Sequence, residues 1–141
     1  MTLEESSIFI NLKRLRTHLY RAQFAMTKAN RIIYGTPLME YSGKALAAFV
    51  VAFKTNLDRE AKARYCDECI GAFAVLRIDL ENCVENNIIQ YPKREGETKE
   101  DRVNSEKVEL FRLVATIDSD MCKWSGSLTK GKTICAEHIA V

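Results

Sequence analysis

Cys66-Asp-Glu-Cys69-Ile-Gly-Ala-Phe73-Ala-Val-Leu76-Arg77-Ile-Asp-Leu80-Glu-Asn-Cys83 decides the fold. Cys66, Cys69, Phe73, Leu76, Leu80 and Cys83 recur at spacings of 3, 4, 3, 4 and 3. Residues three and four apart share one face of an α-helix, so these six form one apolar stripe. The stripe predicts a buried helix and makes packing the first role of its cysteines, since a reduced thiol behaves as a small hydrophobe.

Three further segments carry the same signature. Ile8, Leu12, Leu15, Leu19, Ala22, Met26, Ala29 and Ile33 alternate by 4 and 3, as do Leu110, Val114, Ile117, Met121, Trp124 and Leu128. Leu38, Ala45, Phe49 and Ala52 form a shorter seam flanked by Leu46, Val50 and Phe53. Spacing of this kind over several turns belongs to left-handed helix packing. No segment has a convincing period of two, so the expectation is all-α.

The breaks divide the chain into four helices of about 28, 18, 31 and 26 residues, as the stripes and turn signals require. Tyr34-Gly35-Thr36-Pro37 reads as a helix end followed by a new start with Thr36 as cap. Asp58 reads as the next cap. Pro92 to about Asp101 reads as a loop. Short links between long helices favour antiparallel neighbours, hence an antiparallel up-down four-helix bundle over residues 1–128. Residues 129–141 lack a stripe and are expected to form a flexible tail. Phe9, Tyr20, Phe24, Ile70 and Val84 lie off the main stripes. They either widen the core or mark a partner surface, including self-association.

The totals narrow the function. The chain has 141 residues, 47% hydrophobic and 28% charged, a balance that fits one globular domain and argues against disorder. No apolar run approaches the roughly 18–20 residues of a membrane span. An acidic N-terminus and five cysteines without a secreted framework point to a cytoplasmic protein lacking structural disulfides.

Cys66-x-x-Cys69 and Cys135-x-x-His138 together could offer a zinc ligand set. The position of Cys66 and Cys69 on the core stripe favours packing instead. Only His18 and His138 could serve as a base beside a nucleophile, and no nucleophile motif surrounds either. There is no phosphate-cradling glycine loop, no dinucleotide fingerprint and no Glu-x-x-His pair for a di-metal bundle. The expectation is therefore a non-enzymatic protein with no catalytic residue, metal or cofactor.

Charge distribution is more informative. No acidic residue occurs between Ser6 and Leu38, whereas the first helix holds Lys13, Arg14, Arg16, Arg21, Lys28 and Arg31. The whole chain is only +2, so everything outside those six cations sums to −4. Arg14, Arg21 and Lys28 repeat every seven residues, opposite the apolar seam, and His18 and Arg31 extend that side. Such a one-signed face attracts a phosphate backbone, of RNA or of DNA.

Ile70-Gly-Ala-Phe-Ala-Val-Leu-Arg-Ile-Asp-Leu80 and Leu113-Val-Ala-Thr-Ile-Asp-Ser-Asp-Met-Cys-Lys-Trp124-Ser-Gly-Ser-Leu128, with Leu19-Tyr-Arg-Ala-Gln23 more weakly, resemble a family of four-helix-bundle proteins. One branch comprises the accessory variability determinant (Avd) proteins of diversity-generating retroelements. Its sister branch is encoded by intervening sequences of large-subunit ribosomal RNA. The similarity runs over roughly residues 12 to 130 and rests on the order and spacing of these segments and on Trp124.

The resemblance to Avd implies a ring-like homopentamer that binds the reverse transcriptase of its element and the template RNA, supporting mutagenic copying without catalysis. It implies Arg77 as a nucleic-acid contact beside the basic residues of the first helix. The chain departs from the pattern in its low net charge and in Cys122-Lys123 near the end of the fourth helix. The sister branch implies a ribosomal-RNA-associated bundle, and a structural oligomer without a nucleic-acid role stays open.

Overall fold

A computed structural model describes residues 2–54, 56, 58–90, 96 and 99–128, with side chains described outside 99–105. Four long helices dominate: α1 (Ser7–Phe24), α2 (Thr36–Lys54), α3 (Arg59–Glu85) and α4 (Lys99–Leu128). No strand occurs among the described residues. α1 packs on α2 and α4, and α3 packs on the same two helices.

The stripes become the core. Leu12, Leu15, Leu19, Leu38, Leu76, Leu80, Leu110, Ile117 and Met121 are buried, together with Phe73, Cys69 and Cys83. Burying each large aliphatic side chain contributes roughly 1.5–3 kcal/mol, which is why periodicity dominates this fold. Trp124 closes one side of the core, its ring 5.0 Å from that of Phe49 and nearly perpendicular to it. Phe9, Ile70 and Val84 pack half-buried against the core and so widen it, whereas Tyr20 and Phe24 stay exposed.

The first helix departs from expectation. It ends at Phe24, not near Ile33. The Thr27 side chain accepts from Asn30 N–H at 3.2 Å, starting a separate short turn, Lys28–Asn30. That turn continues through a π turn, Arg31–Gly35, directly into α2. Thr36 is accordingly not a cap. Its backbone is helical, and its N–H reaches back five residues to the Arg31 carbonyl. Pro37 has no N–H to donate, so a widened turn just before it costs no ladder bond at that position. Met26 remains buried, but Ala29 is exposed and Ile33 is 60% exposed, so the seam stops at the break.

A distant segment holds the break in place. α3 ends in a left-handed residue, Asn87 (φ 53°). Ile88 N–H bonds to the Cys83 carbonyl and Asn87 N–H to the Val84 carbonyl, the paired closure of a Schellman motif. The chain then buries Ile89 and donates Gln90 N–H to the Ala25 carbonyl at 2.6 Å. A carbonyl freed by the end of α1 thus finds a partner 65 residues away. At the start of α3, Asp58 is the cap the sequence suggests, accepting from Ala61 N–H at 2.8 Å.

Two polar clusters join helix ends. Asn11 Nδ2 donates to Ser7 Oγ, which donates to Asp120 of α4. Arg59 at the start of α3 donates to the Leu128 and Ser127 carbonyls at the end of α4, at 2.8 and 3.0 Å. No helix among the described residues is long and apolar enough to cross a membrane.

Candidate nucleic-acid interface

An α-helix turns once every 3.6 residues, which places Lys13, Arg14, Thr17, Tyr20, Arg21 and Phe24 within an arc of about 120°. That arc lies opposite Leu12, Leu15, Leu19 and Ala22, and all six side chains are exposed. It contains four polar or cationic groups, two aromatic rings and no carboxylate. Lys13 Nζ sits 5.2 Å from the centroid of the Phe9 ring, a contact that leaves the ammonium at the surface.

The other basic residues of this segment are drawn into the fold. Arg16 is half-buried on the flank facing α2, where its guanidinium lies against Gly43. A Cβ on Gly43 would come within 2.7 Å of Arg16 Nη1, so the glycine leaves room for this contact. Arg31 Nε donates to the Gln23 carbonyl at 3.0 Å, capping the end of α1, and its guanidinium rests 5.2 Å from the centroid of the Phe24 ring. Lys28 is exposed but lies on the short turn beyond the break. The seven-residue repeat within a single helix therefore ends at Arg21.

His18 lies on the flank of α1 facing α4. Arg21 Nη2 is 2.8 Å from His18 Nδ1, which places that nitrogen as acceptor and the imidazole in its neutral form. Burial is the main cause lowering its pKa below 6.5, and the Arg21 charge adds to it. Glu106 and Glu109 of α4 oppose the shift. His18 therefore adds a neutral, partly buried polar group at the edge of this face.

A base whose pKa is lower folded than unfolded takes up its proton first in the unfolded chain. Stability contributed by neutral His18 is full above pH 6.5 and declines as pH falls below it, until the folded imidazole also protonates. Urea melts between pH 7.5 and 5 should show His18→Gln losing less stability with acidification than the parent chain.

Arg77 is bound within the bundle. Its Nη1 lies 3.6 Å from Asp118 Oδ2 of α4, and its Nε lies 3.9 Å from Glu81 Oε1 one turn on. These are ion pairs at distances too long for hydrogen bonds. Two carboxylates beside the guanidinium weaken the case for a phosphate contact there. With the Arg77 and Asp118 side chains 41% and 50% exposed, screening limits the pair. Arg77→Met is expected to change stability by less than about 1 kcal/mol in urea denaturation.

The cysteines follow the packing reading. Cys66, Cys69 and Cys83 are buried in α3. Burial, with Cys66 alongside, pushes the Cys69 thiol up to about 12. Burial and the nearby Asp79 push Cys83 up to about 11. Both shifts follow from burial, where a reduced thiol packs as a small hydrophobe. No three His, Cys, Asp or Glu side chains gather as a metal site among the described residues. Cys135 and His138, like the whole tail from 129 to 141, lie outside those residues.

One feature escaped sequence reasoning. A groove of about 550 Å³ runs between α2 and α3, floored by Ala48 and Ala72 and bordered by Tyr41, Lys44, Tyr65 and Glu68. Its small residues are spread over two helices and belong to no one motif. Comparison of the chain with family models, with curated proteins and with solved structures gives no significant match.

Proposed function

We propose that this chain is a non-enzymatic accessory protein that holds template RNA for a retroelement reverse transcriptase during mutagenic copying. The observation that carries the nucleic-acid part is the outer arc of α1, where Lys13, Arg14 and Arg21 are exposed on a helix without a carboxylate. Lys28 adds a fourth exposed cation just beyond the break. Phosphates bound there release condensed counterions, so binding should be strongly salt-dependent and largely indifferent to sequence. The link to a reverse transcriptase rests on the resemblance of α3 and α4 to Avd proteins.

The proposal includes an up-down bundle assembled into a ring of five. The up-down order is supported by Ser7 at the start of α1 meeting Asp120 late in α4, and by Arg59 at the start of α3 meeting Leu128. The ring is supported by the resemblance and by the exposure of Val75 and Ile78 on α3.

Affinity purification of the tagged chain from cells carrying its element, with light scattering on the purified protein, tests the whole. The expected result is co-purification of the reverse transcriptase and template RNA with a pentamer mass. RNA without polymerase would instead favour the ribosomal-RNA-associated branch. A monomer that retains no RNA would contradict the proposal.

A further inference from the structure

We infer that Tyr20 and Phe24 form a stacking platform for unpaired bases, so that the α1 face takes single-stranded nucleic acid in preference to duplex. The inference rests on the proposal that this face binds nucleic acid, and names the form of the ligand.

Tyr20 and Phe24 are 55% and 61% exposed, unusual for two large rings one helical turn apart. Their centroids are 5.1 Å apart and their planes nearly perpendicular, so each ring keeps open surface. Arg31 reaches back across the break to lay its guanidinium over Phe24, and its bond to the Gln23 carbonyl fixes it there. A planar guanidinium beside an aromatic ring is itself a surface on which a base can stack. Arg21 lies between the two rings in sequence, with Arg14 about 10 Å further back along the helix. Aromatic faces interleaved with phosphate-binding cations are the means by which proteins hold single strands.

A duplex cannot use this arrangement well. Its base faces are stacked inside, and it would present only phosphates and groove edges to the rings. The absence of any carboxylate on α1 favours a polyanion over an ordinary protein partner, whose docking face mixes both signs.

The test compares a fluorescent 12-nucleotide oligouridine with a 12-base-pair RNA duplex, titrated by fluorescence anisotropy. The variants are Tyr20→Ala/Phe24→Ala and Tyr20→Leu/Phe24→Leu, the second keeping apolar bulk without an aromatic face. The parent chain should bind the single strand more tightly. Both double variants should weaken that binding by roughly tenfold or more while leaving duplex binding near the parent value. The leucine variant controls for folding, since it keeps the apolar cover of the helix. If it binds oligouridine as well as the parent does, the platform is wrong while the basic-face reading stands. Parallel losses on single strand and duplex also overturn it. If the parent chain binds neither RNA, the nucleic-acid reading itself fails, and the exposed rings are left to a protein partner.

Discussion

Phe73→Ala is expected to destabilise the fold by about 3–5 kcal/mol, the range for removing a large aromatic from a packed core. Phe73 is 2% exposed in the middle of the α3 stripe, between Cys69 and Leu76, and belongs to the cluster that contains Leu15, Ala45, Phe49 and Ile117. Truncation opens a cavity that this cluster fills only in part, because side chains from several helices would have to move together. Domains of this size are stable by about 5–15 kcal/mol, so the loss removes from about a fifth to all of that margin. Urea denaturation followed by circular dichroism reads the loss. A change below about 1 kcal/mol would mean that the stripe is not the central seam.

The second large effect concerns binding. Arg14→Glu/Arg21→Glu/Lys28→Glu should abolish RNA retention while leaving the helical signal intact. Charge-assisted hydrogen bonds contribute about 1.5–3 kcal/mol each, so loss of three weakens binding by at least about a thousandfold before any repulsion is added. All three residues are exposed. Arg14→Glu and Lys28→Glu should therefore each shift stability by no more than about 0.5 kcal/mol, whereas Arg21→Glu also removes the bond to His18. Filter retention of labelled RNA, with a thermal melt on the same sample, separates lost binding from lost folding. Unchanged retention by the folded triple variant would remove the α1 face from the account. Arg16→Gln should have a smaller effect on retention, since that guanidinium is held against Gly43.

Much of the architecture was legible because burial follows the helical period. Leu12, Leu15, Leu19, Phe73, Leu76, Leu80, Leu110, Val114 and Ile117 stand inside as their spacing implies. Asp58 was readable as a cap because its bond to Ala61 N–H is local. The end of α1 was hidden because Met26 continues the stripe, and because the break is held by Thr27 and by Gln90, a residue far along the chain. Tyr34-Gly35-Thr36-Pro37 looked like a terminus, yet the helix passes through it as a π turn.

The candidate site divides in the same way. Its sign and its outward direction could be read from residues 6 to 38. Which cations remain available could not, because Arg16, Arg31 and Arg77 are engaged by partners set by tertiary packing or by the turn after α1. His18 shows the point well. The sequence places it beside the basic residues, but its burial is set by packing toward α4, whose carboxylates oppose the lowering of its pKa by burial and by Arg21. Tyr20 and Phe24 were visible as off-stripe rings, and only the paths of Phe9, Ile70 and Val84 into the core distinguish these two as surface.

The central claim is that the acid-free outer face of α1 binds nucleic acid through its phosphates. Titration of labelled single-stranded RNA by the full chain at several salt concentrations between 50 and 200 mM tests it most directly. With Lys13, Arg14, Arg21 and Lys28 engaged, the logarithm of the binding constant should fall linearly with the logarithm of salt, with a slope of about −3. No binding at 50 mM salt, or binding that does not change across the series, would contradict the claim.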